Sequence, residues 1–383
     1  MGLRRKNYNY IDRGMYTDII DMVECLDSIQ PCLSYRNMSE KWFADASDEI
    51  EASFKEIEPT AESIDDYINL VEDLFHMFIE MASSRVSVRA ISSRLEHVQT
   101  LLQRPQIPQR TPEWYIQSRN VLTASEFSEI LGTDRAVNAI VSKKLEPVKE
   151  FGKQRLACLS CEMSAMDWGV RFEPVVKQIL EGRGTQVLDV GRIIHADDPR
   201  LAASPDGIIM ESKTEDEVGC LIEIKCPVRR EIGGKIPFEY WCQMQIQMEV
   251  TGISKCEYVE MKFASPYRGD LVPYKSPEDP EKVRGEIWLL QNQSTLEMSY
   301  AYTNADKERM EAEGLEVVET IPWHLDSYYQ TSVVRDTNWF SNTLTKRNEF
   351  WKRVEEARNG TYVIPPRAPK GPVIKVCKIV DDS

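Results

Sequence analysis

Leu221-Ile222-Glu223-Ile224-Lys225-Cys226-Pro227 is the stretch on which the fold turns. Read as a strand, it alternates: Leu221, Glu223 and Lys225 project to one face, Ile222 and Ile224 to the other. An apolar run of this kind reads as a buried strand, and charges inside it need partners or a metal ion. Ile224 points into the core, but its carbonyl lies beside the Glu223 side chain. Upstream, Ser204-Pro205-Asp206-Gly207 opens a second apolar run, Ile208-Ile209-Met210. The connection between the two runs (ESKTEDEV, 211–218) is short enough for the strands to pair, which brings Asp206 within reach of Glu223. The set is one of hard oxygen donors, of the kind that Mg²⁺ or Mn²⁺ prefers. A lysine beside it can position water and stabilise charge on a phosphate. Taken singly, Asp-Gly is usually a turn and Glu-x-Lys usually a solvated face. The apolar neighbourhood argues against both ordinary readings here.

Working outward, helices are expected at 123–131, at 168–182 (which carries Glu173) and at 239–251, and strands at 185–195, 201–210, 219–226 and 256–263. That alternation is an α/β core, a mixed sheet flanked by helices. Pro174, directly after Glu173, requires the helix to begin near 170 or to kink. Further helices are expected at 277–294 and 325–358, before a Pro-rich basic tail. The region before the core reads as helical. Ser63 and Asp66 open one helix over Ile64–Ile79, and Ile91, Leu95, Val98 and Leu102 share a face of the next. Arg104–Arg110, with two prolines, is a linker, and Thr111-Pro112 marks the following helix start. Three regions result: 1–104 helical, 105–300 the core, and 301–383 a C-terminal helical extension packing on it.

The 383 residues carry 47 Lys+Arg against 62 Asp+Glu, a net charge of −15, which argues against a protein that coats nucleic acid. A local basic track of Arg119, Lys225, Arg229 and Arg230 remains compatible with that total. The four histidines leave little room for a His-rich metal site or a Ser-His-Asp triad. Nine scattered cysteines argue for a reducing, intracellular compartment rather than a disulfide framework. There is no apolar run of membrane-spanning length, and the basic first residues lack the apolar stretch of a secretory signal.

Five motifs, in order, resemble the lambda-exonuclease-like, YqaJ-type viral recombinase family of the PD-(D/E)xK nuclease superfamily. They are Trp114 with Arg119 and Leu122-Thr123-Ala124-Ser125; Gly169 through Glu173-Pro174; Ser204-Pro205-Asp206-Gly207; Glu223-Ile224-Lys225-Cys226-Pro227; and Tyr240 with Gln243 and Gln245. The resemblance covers about residues 110–265. It implies a restriction-endonuclease-like core in which Asp206 bridges two Mg²⁺ (or Mn²⁺) ions about 4 Å apart. Glu223 and the Ile224 carbonyl would complete one metal site, and Glu173 would complete the set. Lys225 would orient or activate the attacking water. Arg119 and Ser125 would hold a DNA 5′-phosphate, and Gln243 and Gln245 would face the scissile phosphate. On a helix, however, Gln243 shares its face with Gln247, and Gln245 lies roughly opposite.

The activity so implied is 5′–3′ resection of linear double-stranded DNA, leaving 3′ single strands for an annealing protein in viral or phage-type recombination. The resemblance also implies a trimer-like homo-oligomeric ring, acting in a host nucleus or cytoplasmic replication site if viral. Two alternatives stay open: a structure-specific endonuclease on the same core, and a non-catalytic interaction module for replication or recombination proteins. Elsewhere, Cys158-x-x-Cys161 lacks a second ligand pair for zinc, His195 reads as a loop residue, and Trp339 and Trp351 read as core.

Overall fold

The computed structural model describes residues 90–147, 156, 163–267 and 274–366. The chain divides into two compact units, Met1–Ser92 and Ser93–Ser383, and nearly all described residues belong to the second. The expected helix over 64–79, Cys158 and Cys161, and almost all of the basic tail lie outside the described residues.

Among the described residues the main sheet has seven strands in the order β2-β5-β6-β7-β10-β8-β9. These are β2 (Gln186–Leu188), β5 (Gly207–Glu211), β6 (Leu221–Lys225), β7 (Lys255–Ala264), β8 (Arg284–Asn292), β9 (Met298–Ala301) and β10 (Leu315–Val334). A smaller sheet joins β1 (Leu122–Thr123), β4 (Leu201–Ala203) and β3 (Ile193–Ile194). The expected pairing of the Asp206 and Glu223 segments is present: β5 and β6 are antiparallel, with Gly207 opposite Ile222. β6 then runs parallel to β7, and the connection between them is α6 (Phe238–Thr251). Gly252, at φ +76°, ends that helix in the left-handed region and sends the chain into β7.

The alternation along β6 sorts two cores. Leu221 joins Met244, Met248 and Tyr258 under α6, while Ile222 and Ile224 join Phe172, Val175 and Val259 under α5 (Ala165–Gly182). The sheet is thus covered by helices on both faces. On the α6 side the core extends to α1 (residues 90–102), where Val98 and Leu101 are buried, to α4 (Asp134–Leu145) and to α9 (Leu344–Arg358). The short helices α2 (Pro112–Ser118), α3 (Phe127–Ile130), α7 (Asn304–Ala312) and α8 (Thr337–Asn342) complete the described set.

Three expectations change. The segment expected as a helix at 277–294 contains β8, and the first ten residues of the one expected at 325–358 belong to β10. β10 runs for 20 residues, pairing β8 with its first half and β7 with its second, so it lies within the sheet rather than in a helical extension. Its β-branched and aromatic residues, such as Val333, Trp323 and Ile321, suit a pleated surface better than a helix. Thirdly, α5 begins at Ala165, ahead of a start near 170, and carries Pro174 in its interior. Ser164 and Asp167 form a capping box that starts it at Ala165. Pro174 therefore frees the Val170 carbonyl inside the helix, and the Tyr302 hydroxyl donates to that carbonyl at 3.5 Å.

Candidate active site

The loop before β5 places Asp206 at the end of β6, where its Oδ2 accepts the Ile224 backbone N–H at 2.8 Å. Gly207 is required there, because a Cβ would meet Val187 Cγ1 at 2.3 Å and the Leu188 carbonyl at 2.9 Å on β2. Ile224 turns into the α5-side core, as its place in the alternation dictates. Glu223 and Lys225 turn the other way, toward α6. Glu223 is fully buried. One of its oxygens pairs with Lys225 Nζ, and the other accepts Gln247 Nε2 at 2.6 Å. Lys225 also donates to Gln243 Oε1 at 3.3 Å and stands 4.7 Å from the Tyr240 ring centroid. Tyr240, Gln243 and Gln247 are spaced three and four residues apart, so one face of α6 carries all three.

Glu173 approaches from α5, on the opposite side of the sheet. It accepts Lys177 Nζ at 3.0 Å, one helical turn on, and lies 3.8 Å from Arg110 Nη2. Lys177 is shared with Asp189 at 2.6 Å. Between these groups a cleft of about 460 Å³ is lined by Gln109, Arg110, Glu173, Lys177, Asp189 and Asp206, among others.

The charges in this region are strained toward an excess of negative potential. Burial, then the nearby Glu223 and Glu173 carboxylates, push Asp206 well above the usual carboxylate range. Burial, Glu173 and Asp206 likewise push the Cys226 thiol up. Burial works against the Lys225 ammonium, but Glu223 and Asp206 outweigh it and hold Lys225 above the usual lysine range. The donors are of the right chemistry for a hard divalent cation, and the carboxylate crowding is of the sign that a cation would relieve. Among the described residues, no three His, Cys, Asp or Glu side chains stand together closely enough to hold an ion. Lys225 and Gln247 occupy Glu223, and Lys177 and Arg110 engage Glu173.

The remaining expected residues separate into groups. Arg119 follows α2, and its Nε is buried without a hydrogen-bond partner among the described residues. Ser125 is exposed on the 3₁₀ turn Ala124–Glu126, its hydroxyl 3.4 Å from that of Thr123. Beneath this turn Glu126 accepts the buried Lys144 ammonium at 2.6 Å, and Lys144 also donates to the Ser118 carbonyl at 2.8 Å. Burial pulls Lys144 down, partly offset by Glu126. Gln245 is not brought to the site. Its amide donates to the Val334 carbonyl at 2.9 Å and accepts the Asp336 N–H at 2.7 Å, because it sits on the face of α6 away from Gln243. Gln247 is the residue the motif reading left out, and the four-residue spacing from Gln243 was its signal. Arg230 is not free for a basic track, since it pairs with the buried Glu260, whereas Arg229 is exposed. His195 Nδ1 accepts the Asp197 and Asp198 N–H groups at 3.1 and 3.0 Å, which makes it a loop anchor. Trp351 is buried, and Trp339 packs against the same core.

The mixed sheet thus gathers Asp206, Glu223 and Lys225 at the end of two paired strands, with Glu173 on a helix beside the cleft. Residues 113–254 match the model of the YqaJ-like viral recombinase domain. An uncharacterized protein of Acanthamoeba polyphaga mimivirus is 28% identical over 170 residues, covering 41% of this chain and 30% of that protein. A protein of African swine fever virus is 27% identical over 185 residues, covering 40% of this chain and 50% of its own length. The chain thus spans between about a third and a half of the length of these relatives. Among solved structures it is similar to an alkaline exonuclease from Laribacter hongkongensis, with TM-score 0.38, 21% identity and coverage of 65% of this chain and 95% of that one. The same exonuclease in complex with dAMP gives a TM-score of 0.37 at 21% identity, with the same coverage.

Proposed function

We propose that this chain is a metal-dependent deoxyribonuclease that resects linear double-stranded DNA from the 5′ end. The observation that carries the reading is the convergence of Asp206, Glu223 and Lys225 on β5 and β6. A divalent cation such as Mg²⁺ or Mn²⁺, when held by Asp206, Glu223, the Ile224 carbonyl and Glu173, supplies Lewis-acid stabilisation of the phosphoryl oxygens. Asp206 is oriented for this by the Ile224 N–H, and Gln247 fixes the rotamer of Glu223. Lys225, beside Glu223 and Asp206, would orient or activate the attacking water, or donate to the phosphate and neutralise charge there. Gln243 fixes the ammonium that does this. Arg119, with an unpartnered donor, and the exposed Ser125 would bind a 5′-phosphate, which favours an end-dependent enzyme. The 3′ single strand so produced would serve an annealing protein during viral or phage-type recombination. A ring of identical subunits would keep the enzyme on the duplex.

The test compares 5′-phosphorylated linear duplex, 5′-hydroxyl linear duplex and covalently closed circles, with Mg²⁺ and with EDTA. The expected result is rapid loss of the 5′-phosphorylated duplex, slower loss of the hydroxyl duplex, intact circles and no reaction in EDTA. Cleavage of circles as fast as linear DNA would replace this reading with an endonuclease on the same core. Undiminished degradation by Asp206→Ala and Lys225→Ala would mean that the site lies elsewhere.

A further inference from the structure

Glu173 is gripped by two cations in different ways. Lys177 is 22% exposed and hydrogen-bonded to both Glu173 and Asp189, at 3.0 and 2.6 Å. Arg110 is 40% exposed and stands 3.8 Å from Glu173, beyond hydrogen-bond distance. The backbone at Arg110 adds a second observation. Its φ is +65°, in the left-handed region that glycine adopts without cost. Both flanks hold it there. Ile107 exchanges backbone hydrogen bonds with Arg192 (3.2 and 2.7 Å), Gln106 Oε1 accepts the Gly191 N–H (2.8 Å), and Gln109 donates to the Pro205 carbonyl (3.4 Å). On the other side, Thr111 caps α2 by accepting the Trp114 N–H at 3.3 Å. A strained backbone over-determined by its surroundings, and carrying a long cation into a cleft, points to a function for that cation.

We propose that Arg110 is an exchangeable counter-ion. It neutralises Glu173 until a divalent cation takes that carboxylate, and its guanidinium then turns to a phosphate of the bound DNA strand. The inference rests on the nuclease reading above. Arg110 is suited to the exchange because its hold on Glu173 is long and solvent-screened, and because the guanidinium fork matches a phosphate. Lys177, tied to two carboxylates, stays behind and keeps Glu173 in place. Gln109, against the Pro205 carbonyl, fixes the root of the arginine one residue from the Asp206 loop.

The experiment uses the full chain carrying Lys225→Gln, which stops turnover while keeping a donor for Glu223. Mn²⁺ affinity is read without DNA by electron paramagnetic resonance, and duplex affinity in Mn²⁺ by fluorescence anisotropy. Adding Arg110→Ala should tighten Mn²⁺ binding about two- to fivefold, the range of a screened ion pair. It should weaken DNA binding about tenfold or more, as loss of a charge-assisted hydrogen bond does. Arg110→Lys should restore part of both. Arg110→Gly should shift both affinities in the same directions as alanine while raising the melting temperature, because it relieves the backbone. A merely structural arginine would lower both affinities together. Any pattern other than opposite shifts overturns the proposal. Asp206→Asn separates this outcome from failure of the nuclease reading. If it leaves Mn²⁺ binding unchanged, the metal site itself is misassigned. If it weakens binding and Arg110→Ala does not tighten it, only the exchange is wrong.

Discussion

The two carboxylates that flank Asp206 are held very differently. Glu223, on the α6 side, is fully buried, and each of its oxygens has a donor built into the core. Glu173, on the α5 side, is 27% exposed, with its partners on a helix turn and a linker. One half of the site is therefore a fixed template whose hydrogen bonds are part of the fold. The other half is adjustable, its charge balanced by side chains that can trade partners. A site of this kind can keep its strand geometry while the cleft side adapts to cation and substrate.

The comparison breaks most visibly at Lys225. Lys225→Ala strands the Glu223 carboxylate in the interior, and loss of one member of a buried pair costs about 3 kcal/mol or more. The variant should lose DNA degradation completely and show a correspondingly lower denaturant midpoint. If the midpoint is unchanged, Glu223 is not held as described. Gln247→Ala comes next. It removes the 2.6 Å donor from the second Glu223 oxygen, at an expected cost of about 1–3 kcal/mol. Activity should fall with it, although Gln247 need not touch DNA. Equilibrium unfolding alongside DNA-degradation kinetics tests both parts.

Much of this template was legible in the sequence. The alternation of Leu221–Lys225 assigned each side chain to a face, and the short 211–218 connection gave the strand pairing. The faces of α6 were legible too: helical spacing separates Gln245 from Gln243 and joins Gln247 to it, and motif order alone obscured this. The long β10 was missed although its β-branched and aromatic residues, such as Val317, Ile321, Trp323 and Val333, carried a strand signal; what no short-range pattern shows is that one strand pairs two partners in succession. The adjustable half was not legible. Arg110 and Asp189 lie 63 and 16 residues from Glu173, and only the tertiary fold brings them to the cleft. Lys177, four residues on, carried a helical-pair signal, but such pairs are common on any solvated face.

Asp206 sits between the two halves, and its electrostatics should be visible in stability. Its carboxyl is held above the ordinary value of 3.8 by burial, Glu223 and Glu173. The fold therefore favours the protonated form. The ionised form costs stability progressively as pH rises from the unfolded value through the folded one. Asp206→Asn removes that cost while leaving an oxygen to accept the Ile224 N–H. The variant should be inactive yet more stable at neutral pH, by about 1 kcal/mol. The gain should vanish at acid pH, where wild-type Asp206 is protonated in both states. A variant that is less stable at pH 7 would show that the Asp206 carboxylate is compensated within the fold.

Lys177 is the finest probe, because it tests whether the α5 half is adjustable rather than merely weaker. Burial acts to lower its pKa, but Glu173 and Asp189 outweigh burial and raise it above the ordinary 10.5. Its pairs therefore stabilise the fold below that value, and the contribution is lost as pH climbs through the raised folded pKa. Asp189 is 80% exposed, so solvent screens the interaction and the whole contribution should stay under about 1 kcal/mol. Lys177→Met should leave stability at pH 7 nearly unchanged and flatten the alkaline end of the stability curve. Because Glu173 then loses its better-held cation, Mn²⁺ binding should tighten slightly. A stability loss as large as that of Lys225→Ala would mean that the two halves are equally rigid, and the contrast between them would not stand.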